Sequence, residues 1–168
     1  DVDVTYSIPQ GYSIPSPIVN VATVSTTSPD PDPTNNTAFA QVTLPSAFYT
    51  VSPCRLVDTR LPTGPLGGPA LPAGGDRVFT TPGACGIPAG AKSLALNVTV
   101  VTPSAGGFVR LAPAGAIVPQ TSTVNFGPGQ IRANNAVVAV GVGGQIVATL
   151  GAATGQAHLI LDVVGYFR

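Results

Sequence analysis

Near the end of the chain, Gly155-Gln-Ala-His-Leu-Ile-Leu-Asp-Val-Val-Gly-Tyr-Phe-Arg168 runs from Ala157 to Val164 with almost no polar interruption. Glycines bracket the run, and its eight residues suit a strand better than a helix. Strand alternation puts Ala157, Leu159, Leu161 and Val163 on one face and His158, Ile160, Asp162 and Val164 on the other. One wholly apolar face and one mostly apolar face predict a strand in the middle of a packed sheet.

The rest of the chain supplies partners for such a strand. Of 168 residues, 44% are hydrophobic but only 8% charged, against a usual quarter. Twenty glycines and 18 prolines are spread along the chain, which predicts many turns between short strands and leaves no room for long helices. Seven Lys+Arg balance seven Asp+Glu, so no basic stripe is present to follow phosphates and nucleic-acid binding is not expected. No apolar run approaches the ~20 residues of a membrane helix, so no membrane insertion is expected.

Low charge, absence of Met and Trp, and two cysteines in Pro/Gly-flanked loops (Ser52-Pro-Cys54 and Gly83-Ala-Cys-Gly86) suit an extracellular or cell-surface module. A Cys54–Cys85 disulfide is expected, stabilising by roughly 3–4 kcal/mol on a chain-entropy basis. The chain reads as a mature secreted product or as a piece of a longer one.

Taken in order, residues 1–44 predict strands over Val2–Ile8, Ile18–Ser25 and Thr37–Leu44, with the turn run Ser28-Pro-Asp-Pro-Asp-Pro-Thr-Asn-Asn36 before the third. Asp30 and Asp32 lack calcium-loop spacing and read as turn residues. Residues 45–168 predict strands near 47–51, 54–58, 76–80, 92–101, 107–112, 121–126, 135–142, 144–149 and 157–164. Pro103-Ser-Ala-Gly-Gly107 reads as a hairpin, with turns at Phe126–Gly129 and Gly141–Gly144. The class is all-β, a β-sandwich of jelly-roll or Ig-like type. Barrel and trefoil closures stay open.

The segments Val4-Thr-Tyr-Ser-Ile-Pro9, Ile18-Val-Asn-Val-Ala-Thr-Val-Ser25 and Asp30-Pro-Asp-Pro-Thr-Asn-Asn-Thr-Ala38 resemble, in that order, the closing half of the DUF11-type repeat. That Ig-like module is strung in arrays on prokaryotic surface proteins, and the resemblance covers only its last strands. It implies an incomplete Ig-like sheet over 1–44. Such a sheet must pack on the following domain, be completed by another chain's strand, or belong to a fragment. Pro53-Cys-Arg-Leu-Val-Asp-Thr-Arg60, Leu96-Asn-Val-Thr99, Thr123-Val-Asn-Phe126 and His158-Leu-Ile-Leu-Asp-Val-Val-Gly-Tyr-Phe167 are similar to a widespread module of secreted bacterial proteins. That resemblance implies an accessory or structural role and assigns no chemistry.

The chemistry-bearing residues are few. His158 is the single histidine, and Asp162 lies four residues along the same strand face, ~13 Å away and too far to orient it. One histidine and two cysteines expected to be oxidised do not make a zinc site. No glutamate occurs, so within residues 45–168 the paired carboxylates of a glycosidase would have to come from Asp58, Asp76 and Asp162. An ion pair is the simpler use of these groups, with Arg55 or Arg60 reaching Asp58 or Asp162 across the sheet. No catalytic, metal or cofactor residue is assigned.

Asn97 with Thr99, Thr123 with Asn125, and Asn134 with Asn135 form a candidate polar face for a polysaccharide. Alternatively they bond loop backbones inside the fold. The leading expectation is a non-enzymatic structural protein, a subunit or stalk segment of a surface fibre that self-associates through strands 1–44. A carbohydrate-binding accessory module is the alternative.

Overall fold

The computed structural model describes residues 18–42, 46–117 and 119–168. It is all-β, and the chain divides into two compact units, Asp1–Pro45 and Ser46–Arg168. In the first unit, β1 (Ile18–Thr23) and β2 (Thr37–Val42) pair antiparallel, with Val21 opposite Phe39. The turn between them is held locally. Asp30 accepts from the Asp32 amide and the Asn36 side chain, while Asp32 caps the 3-10 turn Pro33–Asn35 by accepting from Thr34. The expected strand Val2–Ile8 lies outside the described residues.

The second unit comprises β3 (Phe48–Asp58), β4 (Leu71–Pro72), β5 (Asp76–Thr80), β6 (Ser93–Val101), β7 (Gly107–Pro113), β8 (Val124–Phe126), β9 (Arg132–Ala139), β10 (Gln145–Ala152) and β11 (Gln156–Phe167). A five-stranded sheet has the order β3-β11-β6-β9 with β4 added on β11, and a four-stranded sheet has the order β5-β10-β7-β8. All ladders are antiparallel. β11 lies mid-sheet between β3 and β6, as its two apolar faces predict.

The sheets pack face to face as a β-sandwich around one core. Leu94, Leu96, Val98 and Val100 of β6 and Leu159, Leu161 and Val163 of β11 meet Phe79, Val109, Ile146, Ala148 and Leu150 of the other sheet. Each of the larger side chains stabilises the fold by about 1.5–3 kcal/mol through burial. The open ends of both sheets decide against a closed barrel.

Three sequence expectations need correction. Pro103–Gly107 does not close a hairpin, because β6 and β7 belong to different sheets. The turns Phe126–Gly129 and Gly141–Gly144 likewise carry the chain from one sheet to the other, β8 to β9 and β9 to β10. Short glycine turns serve sheet switching as well as strand reversal, and their local chemistry does not distinguish the two. Second, the strand expected at 135–142 is β9 at Arg132–Ala139, so Asn134 and Asn135 lie inside it. Third, the separate strands at 47–51 and 54–58 are one strand, β3, which continues through Pro53 with shifts of register against β11.

Gly165 shows why β11 can run on past the expected end. A Cβ there would overlap the Phe48 ring and lie 2.7 Å from the Tyr49 carbonyl oxygen. The bare backbone lets Phe48 fold across it and pack against Phe167, with ring centroids 4.9 Å apart.

Candidate functional site

The Pro53–Arg60 stretch concentrates the chain's reactive groups, and nearly all of them are spent on joining β3 to its neighbours. Cys54, on β3 opposite Val163, is disulfide-bonded to Cys85. Cys85 sits in the turn Ala84–Gly86 with a left-handed φ of 53°, between Gly83 and Gly86. Leu56 and Val57 enter the core.

Arg55 donates from Nε to Asp162 Oδ1 at 2.8 Å and from Nη2 to Oδ2 at 3.2 Å, a bidentate fork between adjacent strands. Arg60 grips Asp58 the same way, at 2.9 and 2.7 Å, and its backbone amide adds a third donor at 3.1 Å. Asp58 is 4% exposed. The Arg60 guanidinium holds its carboxyl down at about 2 against the opposing cost of burial. Such a carboxylate stays ionised across the ordinary pH range and cannot serve as a proton donor there.

Thr59 is buried, and its hydroxyl accepts from the Leu159 amide at 2.8 Å. The hydroxyl proton is then left for His158 Nδ1, 3.1 Å away, which fits the tautomer protonated on Nε2. The single histidine is therefore paired with a threonine from the end of β3. Asp162, on the same strand, is engaged with Arg55.

The six polar candidates divide into two groups. Thr123 accepts from the Leu111 amide, Asn134 donates to the Thr123 carbonyl, and Asn125 donates to Ser122; these tie the 119–123 segment to β7 and β9. Asn97, Thr99 and Asn135 lie instead on the outer face of the five-stranded sheet. Registers place Arg55, Asp162, Asn97 and Asn135 side by side across β3, β11, β6 and β9. Beside this row is a shallow depression of about 400 Å³ lined by Ala95, Leu96, Asn135, Ala136, Val137 and Val164. Phe48, 47% exposed, stands farther along the same face. A sequence reading that seeks Tyr or Trp as a stacking platform passes over this phenylalanine, and its place beside Gly165 emerges only when β3 pairs with β11.

The first unit presents a different surface. Val19 and Val21 of β1 and Phe39 of β2 share one face of the hairpin and are 51%, 51% and 73% exposed. Asn20, Ala22, Ala38 and Ala40 on the opposite face are exposed too. None of residues 19–23 and 37–41 of the hairpin's strands is buried.

Among the described residues, no group of three His, Cys, Asp or Glu side chains is placed to hold a metal ion. No helix among them is long and apolar enough to cross a membrane. Fold and site together define the class as a disulfide-linked, two-sheet all-β module carrying an additional β-hairpin. No protein-family model and no curated protein matches the chain.

Proposed function

We propose that the chain is a non-enzymatic extracellular structural protein, a subunit or stalk segment of a surface fibre whose copies join by strand complementation. The observation that carries this reading is the β1–β2 hairpin, with Val19, Val21 and Phe39 on one face and exposed. A two-stranded sheet is marginal in water, and exposed apolar side chains opposite one another invite a covering layer. Among the described residues its outer strand edges have no backbone partner and so offer pairing groups to a neighbour. The spent state of the Pro53–Arg60 motif supports a structural role, since Arg55, Asp58, Thr59 and Arg60 all engage one another or β11. The disulfide suits an oxidising location.

Negative-stain microscopy and sedimentation of the full chain test the proposal. Filaments or a concentration-dependent series of oligomers are expected. A folded monomer at every concentration tested would refute it.

The outer row Arg55–Asp162–Asn97–Asn135, with Phe48 beyond it, favours a second reading, a polysaccharide-binding accessory module. Planar polar groups and an aromatic ring on one flat face are what a neutral saccharide chain requires. A pull-down on insoluble polysaccharide, competed by soluble sugar and lost in Asn97→Ala/Phe48→Ala, supports this reading; retention of the wild-type chain at background level refutes it.

A further inference from the structure

Strand complementation needs an acceptor as well as a donor, and the edges of the sandwich are not equal. β3 is interrupted by Pro53 and by register shifts against β11, β5 has five residues and β8 three. β9 has eight residues, no proline, and an unbroken register with β6. Among the described residues its only ladder partner is β6, and no other backbone hydrogen bond reaches Arg132–Ala139. Among the described residues its far edge therefore has no backbone partner, and Val137 is 64% exposed. Beside that edge runs a groove of about 360 Å³ between Leu111–Pro113, Thr121–Thr123 and Asn134–Ala139. Natural proteins protect such edges with prolines, bulges, inward charges, short length, edge charges or a covering loop. β9 has no proline, bulge or short length. Its guards are Arg132 at one end and the 119–123 segment, which meets it where the Asn134 side chain donates to the Thr123 carbonyl.

We infer that β9 is the acceptor edge and that it is filled by β1 of a second copy of this chain, paired antiparallel. The inference rests on the fibre reading above and names the site that reading lacks.

Charge selects the strand and its direction. Arg132 opens β9, and among the described residues its one side-chain bond is from Nε to Gln130 at 3.3 Å. Among the described residues it forms no ion pair, since the ion pairs present use Arg55 and Arg60. The hairpin's turn carries Asp30 and Asp32, which likewise have no cation partner among the described residues. Antiparallel pairing of β1 with β9 that sets Val19 opposite Val137 places Thr23 opposite Ala133 and brings the turn end of β1 beside Arg132. Antiparallel pairing of β2 would put the turn at the opposite end, away from that guanidinium. Lengths agree as well, with six residues of β1 against eight of β9.

Reach selects a second copy. Ala47 exchanges two backbone hydrogen bonds with Arg168, which fixes it at the β3 side of the sheet. With β1 on β9 and β2 outside it, β2 would lie five strand spacings from β3, about 24 Å at roughly 4.8 Å each. The five Cα steps from Val42 to Ala47 span at most about 18 Å. The chain's own hairpin therefore does not reach its own β9 in this arrangement, and each copy must serve its neighbour. The resulting contact is heterologous, so it propagates as a filament wherever its rotation does not close into a ring.

The test uses the full chain, which has no free cysteine among its described residues. Chains carrying Val137→Cys are mixed with chains carrying Val19→Cys under mild oxidation, and Phe39→Cys on β2 serves as the control partner. A Val137→Cys/Val19→Cys cross-linked dimer exceeding the control is expected. Separately, Arg132→Glu should weaken assembly by about tenfold, because it sets like charges together at the contact. A circular dichroism melt unchanged from wild type verifies that the variant is folded.

If the wild-type chain assembles but neither the cross-link nor the Arg132→Glu effect appears, β9 is not the acceptor and the fibre reading survives. If the wild-type chain stays monomeric throughout, both fall.

Discussion

The hairpin of the first unit and β11 of the second are written in similar residues, yet they end in opposite states. β1 alternates Val19, Val21 and Thr23 against Asn20 and Ala22; β11 alternates Ala157, Leu159, Leu161 and Val163 against His158, Ile160 and Asp162. Leu161 is fully buried, while Val21 stays half exposed. The difference lies in the layer opposite. β11 has neighbours on both sides and a second sheet over its apolar face, whereas β1 is paired with β2 alone among the described residues. Alternation is a request for a covering layer, and among the described residues the second unit supplies its own while the first shows only the hairpin.

The sharpest way to break this contrast is to cut into each region with an equivalent substitution. Leu161→Ala should destabilise the sandwich by up to about 5 kcal/mol, through lost burial and the cavity left behind. Val21→Ala should leave the same melting transition within about 0.5 kcal/mol, as an exposed change does. A thermal melt followed by circular dichroism compares them. Equal losses would mean that the hairpin is part of the same cooperative core.

Next in size is the disulfide. Replacing Cys54 and Cys85 together by Ser, which opens a loop of separation 31, should cost about 3–4 kcal/mol of sandwich stability. The measurement is urea denaturation of both proteins. A native-like transition should remain, because the core is continuous without the sulfurs.

Two ion pairs of unequal burial sharpen the comparison within the second unit. Asp58→Asn should cost about 2 kcal/mol, since it removes the charge and the second oxygen, which accepts from Arg60 Nη2 at 2.7 Å, and puts an amide donor in its nearly buried place. Its depressed pKa sets the sign of the pH dependence. The contribution is fully present above the ordinary carboxylate range and is lost as pH falls toward and through about 2. Wild-type stability should therefore drop between ~pH 4 and ~pH 2 more steeply than that of Asp58→Asn. Asp162→Asn removes a pair in which Arg55 is half exposed, and should lower stability by less than about 1 kcal/mol. Asp162→Asn costing more than Asp58→Asn would invert the assignment of which pair is structural.

Much of this architecture is legible in the residues. Uninterrupted apolar alternation marks β6 and β11, whose burial patterns follow it residue by residue along most of their length. The Pro/Gly flanks of the two cysteines mark the disulfide, although Cys54 proves to lie within β3 and only Cys85 in a turn, both packed against the core. What stays hidden is non-local. Whether Pro103–Gly107 reverses within a sheet or crosses to the other depends on where β7 finds its partner β10, some forty residues later. The start of β9 at Arg132 is hidden because Arg132, Asn134 and Asn135 look like loop residues; they are tolerated on an edge strand where one side faces water. Among the candidate polar residues, Asn97 and Thr123 are equivalent in sequence, and only sheet register separates an outward amide from a hydroxyl that closes a loop.

The most direct measurement is hydrogen exchange of the full chain, followed by mass spectrometry, at a dilute and at a concentrated condition. Amides of Ile18–Thr23 and Arg132–Ala139 should gain protection together as concentration rises, while the β11 core stays equally protected in both. Exchange in these two segments that is identical at every concentration would contradict an assembly built by lending strands between copies.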